Sequence, residues 1–211
     1  NVLSVNERRY VPLGLLSDKP TMKIFLGVSL ETLGTVVLKV GQPGAAGDEG
    51  GRDVRDKLRK EFRILATLSG QADLAPRAID WCDGEWPIAI LEDFRGDLLS
   101  ELARDERIEC LLPLAHAVAS FHHAGFVHGD IKLENAVRRG RLVGLIDFEL
   151  AERDGEISGA GGTRGHLAPE VAAGTAVASS RDVFALGGCV AQAVLGVPPG
   201  LLPEGTGRVR G

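Results

Sequence analysis

Residues 128–135 read His-Gly-Asp-Ile-Lys-Leu-Glu-Asn and come directly after a predicted helix over residues 108–123. Asp130 supplies a carboxylate that can accept a proton from a hydroxyl group. Asn135 follows it closely and supplies a neutral oxygen of the kind that hard cations prefer. Either residue alone is as typical of a turn or a cap as of a catalytic site, so the interpretation depends on the surrounding sequence.

Two further clusters carry related chemistry. Residues 145–149 read Leu-Ile-Asp-Phe-Glu, and Asp147 lies at the end of a predicted buried strand. Asp147 and Asn135 together would form a magnesium site completed by water and phosphate oxygens. Upstream, Lys39 lies inside the apolar run Val36–Val40. Such a lysine either extends to solvent or points toward an anion, and the strand by itself favours solvent. The order and spacing of the three clusters make coincidence a poor explanation.

The N-terminal part of the chain predicts a sheet with one helix. Apolar or β-branched runs separated by turn residues predict five strands, over residues 10–16, 22–29, 35–40, 77–82 and 87–93. Apolar residues recur every three or four positions between residues 52 and 69, which predicts an amphipathic helix. The Gly- and Ala-rich residues 41–51 predict a flexible loop.

After Gly96 the pattern becomes mainly helical. It predicts helices over residues 98–103, 108–123 and 181–195, with short strands near residues 135–140 and 142–148. The sequence therefore predicts an α+β protein with a β-rich part over residues 1–95 and an α-rich part over residues 96–211.

The composition argues against several classes of protein. The 211 residues are 44% apolar and 25% charged, which is typical of a globular chain, and the net charge of −5 gives no support for binding nucleic acid. Three widely spaced cysteines without a C-x-x-C pair argue against a disulfide framework or a zinc site and favour a reducing compartment. The uncharged residues 185–203 are interrupted by Pro198-Pro199-Gly200, which favours a buried helix over a membrane span.

Six motifs in this order resemble those of the eukaryotic-type protein kinase family. They are the strand lysine Lys39, the helix glutamate Glu61, the loop 128–135, the metal aspartate Asp147, residues 162–170 (GTRGHLAPE, similar to G-T-x-x-Y-x-A-P-E) and residues 182–187 (DVFALG, similar to D-V-Y-S-L-G). The resemblance runs from about Tyr10 to Pro199. It implies a protein-kinase-like bilobal fold, with a five-stranded antiparallel N-lobe carrying one helix and a shortened, mainly helical C-lobe.

The resemblance implies phosphoryl transfer from ATP with Mg²⁺, or with Mn²⁺ in its place. Lys39 would contact the α- and β-phosphates and be held by Glu61. Asn135 and Asp147 would hold the metal, and Asp130 would orient the attacking hydroxyl.

Further residues take roles from the same resemblance. Lys132 is similar to the lysine of the serine/threonine branch that reaches the transferred phosphate, and Thr163 to the threonine that braces this loop. Adenine would contact Val37 and Val137, with the backbone from Glu92 to Phe94 as its hydrogen-bonding edge and Leu91 guarding the rear pocket. The implied partner is a protein substrate with a Ser or Thr acceptor, the oligomeric state stays open, and the implied location is the cytoplasm, or a host cytosol for an effector.

The chain departs from the family pattern at four places. Residues 14–21 should carry G-x-G-x-x-G but contain only Gly14, so we do not expect a close backbone approach to phosphate. Glu149 replaces the glycine of D-F-G, and we expect it in solvent. Gly129 replaces the arginine that pairs with a phosphorylated activation segment, so we expect activity without such phosphorylation. Only 41 residues follow Glu170, which is similar to a minimal kinase such as some bacterial effectors, or to a shortened chain.

Two other functions stay open. Small-molecule kinases of the aminoglycoside or choline type share H-x-D-x-x-x-x-N and I-D-F-E, but they lack the motifs at residues 162–170 and 182–187. A pseudokinase that acts as a binding module would explain the missing glycines together with Glu149, although it would have no need of Lys39, Asp130, Asn135 and Asp147.

Several polar residues have simpler interpretations. His122 is expected to be a surface or capping residue of its helix, and His128 to pack beneath the loop that follows it. Ser158 and Thr163 are candidates for autophosphorylation, although a serine in a loop commonly has no such role.

Overall fold

The computed structural model describes residues 2–43, 53–70, 73–156, 161–173 and 178–196. The chain divides into two compact units, Asn1–Arg95 and Gly96–Gly211. Most of the loop predicted over residues 41–51 lies outside the described residues, as do Ser158 and the Pro198-Pro199-Gly200 break. In the described part of the chain, none of the helices has the length and apolar character needed to cross a membrane.

The first unit is built on an antiparallel sheet with one helix. Its strands are β1 (Leu3–Val5), β2 (Arg8–Asp18), β3 (Met22–Ser29), β4 (Thr35–Gly41), β5 (Ala78–Asp83) and β6 (Pro87–Glu92), and its helix is α1 (Val54–Thr67). The strand order is β1-β2-β3-β4-β6-β5. A core of buried side chains packs on this sheet: Val5, Tyr10, Val36, Leu38, Ile88 and Ile90. The strand β4, which carries Lys39, is paired on both sides.

All five predicted strands are present, and the sheet has a sixth strand, β1, that was not predicted from the sequence. Its Leu3 and Val5 pair with Tyr10 and Arg8 of β2, which leaves Asn6 and Glu7 as a two-residue turn. Both turn residues have positive φ, 46° and 67°, the backbone that such a tight hairpin requires. A three-residue strand shows too little alternation to be recognised in sequence, and the burial of Val5 in the core holds it in place.

The hairpin of β2 and β3 occupies the part of the sequence where the family carries its glycine loop. Gly14 lies inside β2, and the turn spans Lys19 to Met22, whose backbone groups bond each other at 3.0 and 3.2 Å. Asp18, at the end of β2, is 3.4 Å from the Lys23 ammonium. The described hairpin therefore has a strand whose register with β3 shifts twice, between Pro12 and Gly14 and between Leu15 and Ser17, and a short turn in place of a run of glycines.

The second unit contains two long helices, α2 (Arg104–His123) and α3 (Ser180–Leu195). Its short strands are β7 (Asp97–Leu98), β8 (Phe126–Val127), β9 (Ala136–Arg139), β10 (Leu142–Leu145) and β11 (Glu152–Arg153), and they form the sheets β10-β9-β7 and β11-β8. The helix predicted over residues 98–103 is only a 3₁₀ turn over Leu99–Glu101, because Asp97 and Leu98 pair with Arg138 and Val137 of β9.

A cluster of rings lies beneath the loop that follows β8. The ring centroid of His128 is 4.9 Å from that of Phe148 and 5.9 Å from that of Phe121, and all three side chains are fully buried. Burial lowers the pKa of His128, which keeps its imidazole neutral. His128 therefore acts as a packing residue two positions before Asp130.

Candidate active site

Lys39 and Glu61 form a buried ion pair in the first unit. Lys39 Nζ on β4 is 2.6 Å from Glu61 Oε1 on α1, and the two side chains are 9% and 3% exposed. The expectation from the strand alone, a lysine extended into solvent, was wrong. Glu61 lies in the buried stripe of α1 with Leu58 and Leu65, so the helix brings a carboxylate to the lysine. The pair holds an ammonium at a fixed place on an otherwise apolar strand.

The residues implied in adenine binding are distributed over the two units. In the first, Val37 on β4 pairs with Leu91 on β6, and Leu91 and Phe94 are buried. The carboxylate of Glu92 accepts hydrogen bonds from the backbone and side chain of Arg77. In the second unit, Val137 on β9 is 3% exposed. Contact of these residues with a nucleotide stays a prediction.

Asp130 is the centre of a polar network in the second unit. Its Oδ2 accepts a hydrogen bond from Lys132 Nζ at 2.6 Å, and its Oδ1 accepts one from Thr163 Oγ1 at 2.6 Å. The Lys132 ammonium also donates to Thr163 Oγ1 at 3.0 Å. Asn135 Nδ2 donates to both the backbone oxygen and Oδ2 of Asp130, at 2.9 and 3.0 Å. The four residues, which the sequence places up to 33 positions apart, therefore meet at one carboxylate.

The network keeps Asp130 ionised. Burial by itself would raise the pKa of Asp130, but the hydrogen bonds from Lys132 and Thr163 outweigh it and hold that pKa below its ordinary value. An ionised carboxylate beside a hydroxyl can orient that hydroxyl and accept its proton.

Asn135 and Asp147 supply the oxygen donors that a hard cation requires. Asn135 uses its amide nitrogen on Asp130, so its amide oxygen is the group through which it would hold a metal. The backbone oxygen of Asn135 accepts a hydrogen bond from Ile146 N at 3.0 Å, and Asp147 is the residue that follows Ile146. An amide and a carboxylate oxygen, completed by water and phosphate, fit Mg²⁺ or Mn²⁺.

The backbone of Asp147 is unusual. Its φ is +64°, in the left-handed region that residues other than glycine rarely adopt. Backbone strain of this kind clusters at functional sites. Within the described residues, no group of three or more His, Cys, Asp or Glu side chains is arranged to hold a metal.

Asp182, in the first turn of α3, fixes the backbone at the start of the loop at residues 128–135. Its carboxylate accepts hydrogen bonds from His128 N at 2.7 Å and Gly129 N at 2.8 Å, and its Oδ2 is 2.9 Å from His122 Nε2. Burial by itself raises the pKa of Asp182, but the hydrogen bonds from His122 and from the two backbone groups hold it below its ordinary value. The expectation that His122 is a surface or capping residue was wrong, because its ring bonds this buried carboxylate. Asp182 begins the motif at residues 182–187, but the sequence alone assigned it no role.

Gly129 occupies a position that no other residue fits easily. Its φ is +80°, and a Cβ atom built on it would lie 2.8 Å from the backbone oxygen of Leu150. The arginine of the family pattern is thus excluded by the local backbone as well as absent from the sequence.

Comparisons with known proteins give a family model and several curated relatives that match this chain. Residues 23–208 match the family model described as the protein kinase domain. The chain is 28% identical to the serine/threonine-protein kinase PknL of Mycobacterium tuberculosis over 92% of this chain and 51% of that protein. It is 30% identical to serine/threonine-protein kinase D of Synechocystis over 72% of this chain and 33% of that protein. The chain therefore spans about half the length of PknL and about a third of the length of kinase D.

A solved structure shows the same fold. The kinase PK-1 of Cydia pomonella granulovirus matches with a TM-score of 0.71 and 19% identity, over 90% of this chain and 69% of that one. At this identity the likeness concerns the fold alone. The expected kinase-like fold with an antiparallel N-lobe sheet is confirmed apart from the number of strands. Because the family model covers most of the sequence, this chain belongs to the protein kinase domain family.

Proposed function

We propose that this chain transfers the γ-phosphoryl group of ATP to serine and threonine hydroxyls of protein substrates. The observation that carries the proposal is the network at Asp130, where one carboxylate binds the hydroxyl of a threonine and the ammonium of Lys132, each at 2.6 Å. A substrate hydroxyl would take the place of the Thr163 hydroxyl or share the carboxylate with it. Lys132 would then neutralise charge on the phosphoryl group during transfer.

The chain's other polar residues have distinct tasks in this proposal. Asn135 and Asp147 would hold Mg²⁺, which when bound neutralises charge on the phosphate oxygens. Lys39, held by Glu61, would bind the α- and β-phosphates through its ammonium. Asp130 would orient the acceptor hydroxyl and take up its proton, and phosphoryl transfer needs little more than this positioning and charge neutralisation.

Two observations favour protein substrates with Ser or Thr acceptors. The relatives PknL and kinase D are both serine/threonine-protein kinases by name, and the family model is that of protein kinases rather than small-molecule kinases. Lys132, the residue typical of the serine/threonine branch, contacts the catalytic carboxylate directly. The polar network also argues against a binding module without activity, since such a module would not need four side chains converging on one ionised carboxylate.

The experiment is a transfer assay with labelled ATP, Mg²⁺ and generic basic and acidic protein substrates, followed by mass spectrometry to locate the phosphate. We expect phosphoserine and phosphothreonine in the wild-type reaction, and at least a hundredfold lower rate with Asp130→Asn. Asp154→Asn is the matched control, because it neutralises an exposed aspartate of the same unit.

The outcomes separate the possible functions. Equal rates for Asp130→Asn and Asp154→Asn would refute the role of Asp130. Transfer only to alcohols or aminosugars added as alternative acceptors would refute the protein substrate. Thermal stabilisation by ATP with no transfer to any acceptor would refute catalysis itself.

A further inference from the structure

The helix α3 is apolar on its outward side as well as on its buried side. After Asp182 in its first turn, it contains no charged residue up to its end at Leu195. One side packs into the second unit through small buried residues, Ala185, Cys189 and Ala193. A helix that is apolar all round is normally buried all round. The outward side of α3 therefore requires a partner.

Five large apolar side chains of α3 are in contact with solvent, and each is 40–60% exposed: Val183, Phe184, Val190, Val194 and Leu195. We call these five residues the α3 face. The three valines are separated by seven and then four positions, which keeps them on one side of the helix. The largest apolar patch on an ordinary monomer is about 300–600 Å², and patches of this kind mark interaction sites.

The sequence that follows α3 is poorly suited to cover the α3 face. Residues 197–211 contain three prolines, four glycines and three charged side chains, and their large apolar side chains are Val197, Leu201, Leu202 and Val209. Proline and glycine disfavour a helix that could pack along the 16 residues of α3. A charged partner would lose its water against an uncharged face. The composition of the α3 face therefore favours a partner surface that is itself apolar and helical.

The α3 face is complementary to itself. Gly187 lies between Val183 and Val190 along the helix, and a Cβ atom built on it would meet nothing within 4 Å, so the surface has a hollow there. In two copies of α3 that run antiparallel about a two-fold axis, Val190 of each copy would enter the hollow at Gly187 of the other. Val183 of each copy would then contact Val194 of the other, because both pairs of positions are centred on the same point of the helix.

We propose that the α3 face binds a second copy of this chain and forms a symmetric dimer. A stable interface buries about 800 Å² on each partner, and its centre is more apolar and less charged than its rim. The α3 face supplies such a centre, and the exposed residues around it would form the rim. Dimer formation requires neither nucleotide nor phosphoryl transfer, so this inference goes beyond the proposed function and does not depend on it.

The first experiment measures the mass of the chain by sedimentation velocity at about 1–100 µM. We expect the wild type to become dimeric within this range. Val183→Glu and Val194→Lys each bring a charge into the apolar centre of the interface, and we expect each to weaken the dimer at least tenfold. Leu112→Glu is the matched control for Val183→Glu, because it adds the same charge at an exposed apolar residue of the other long helix, α2. We expect this control to form dimers as the wild type does.

A mixture of the two variants tests the antiparallel arrangement. In a mixed dimer, the carboxylate introduced at position 183 of one copy would lie beside the ammonium introduced at position 194 of the other. The second contact would remain a pair of valines. We therefore expect Val183→Glu and Val194→Lys to bind each other at least tenfold more tightly than either variant binds itself. Failure of the mixture to associate would overturn the proposed pairing of α3 with α3.

Other outcomes also decide against the proposal. A wild type that stays monomeric at about 100 µM would overturn it. A dimer that Val183→Glu leaves intact, or that Leu112→Glu weakens equally, would place the interface elsewhere and overturn it too. Circular dichroism checks that each variant folds. If Val183→Glu does not fold, Val183→Ser removes apolar area without adding a charge, and wild-type dimer strength in that variant would refute the α3 face as the interface.

A chain that lacks residues 197–211 tests the other possible occupant of the α3 face. We expect the shortened chain to form dimers at least as strong as those of the wild type, because the proposal gives these residues no part in the interface. A monomeric wild type whose unfolding temperature falls when residues 197–211 are removed would assign the α3 face to that segment and overturn the proposal.

Discussion

Replacing Gly129 by alanine tests the backbone on which the catalytic loop depends. Gly129 has φ of +80°, its N–H bonds the buried carboxylate of Asp182 at 2.8 Å, and Asp130 follows it directly. A Cβ atom added there would lie 2.8 Å from the backbone oxygen of Leu150, closer than real Cβ atoms come to such a group. Because that neighbour is backbone, it cannot rotate away as a flexible side chain would.

The expected destabilisation is the sum of two effects. An alanine held in the left-handed region costs about 1–2 kcal/mol, of which the stiffer unfolded chain returns about 0.4–1 kcal/mol. Forcing a carbon atom against packed backbone adds about 1–3 kcal/mol. We therefore expect Gly129→Ala to lower the free energy of unfolding by about 1–4.6 kcal/mol in total.

Gly140→Ala is the matched control for this prediction. Gly140 belongs to the same unit and has φ of +64°, but a Cβ atom there would meet nothing within 4 Å. The control therefore carries the backbone strain without the overlap, and we expect it to cost about 1 kcal/mol or less. Urea unfolding of both variants, followed by a probe in the second unit, measures the difference. Equal destabilisation of the two variants would refute the argument that Leu150 restricts position 129.

Three other variants test separate parts of the site. Glu61→Gln removes the negative charge of Glu61 from its ion pair with the buried ammonium of Lys39, and we expect a loss on the order of 3 kcal/mol in urea unfolding. A loss below about 0.5 kcal/mol, typical of exposed pairs, would contradict it. The depressed pKa of Asp182 means that its ionised form stabilises the fold above the ordinary aspartate pKa and that this stability is lost as the pH falls through the lower, folded-state value. We therefore expect acid to destabilise the wild type more than Asp182→Asn, and parallel curves of stability against pH would argue against this linkage. Thr163→Val removes a hydrogen bond that favours the ionised form of Asp130, so the pKa of Asp130 should rise. The acid limb of the pH–rate profile should then move to higher pH. An unmoved limb would show that this hydrogen bond does not lower the pKa of the carboxylate.

The local patterns of the sequence predicted most of the secondary structure correctly. The strand β3 begins and ends where alternation and turn residues place it. The helix α1 is two residues shorter than predicted at each end. The errors concern elements whose existence depends on partners distant in sequence. The strands β1 and β7 have only three and two residues, too few for a periodic pattern, and each exists because it pairs with another strand.

The same division holds for the polar residues. Asp130, Lys132 and Asn135 are close in sequence, so their grouping could be predicted from spacing together with the resemblance. Asp182 begins one of the six motifs, but it is over 50 residues away from the backbone groups it binds, so the sequence did not show which groups its carboxylate meets. Arg181 looks in sequence like an ordinary surface residue of a helix start, and only the structure shows that it is buried.

The sequence by itself determined the family, the order of the elements and the identity of the reactive groups, because motif spacing and hydrophobic periodicity are local properties. Only the tertiary structure decided the state of those groups. Glu61 on another element makes Lys39 an ion-paired lysine, and hydrogen bonds from Lys132 and Thr163 keep Asp130 ionised. Asp182 joins His122 to the loop at residues 128–135. Charge state and hydrogen bonding depend on which groups meet in space, and no pattern within a single segment of the chain contains that information.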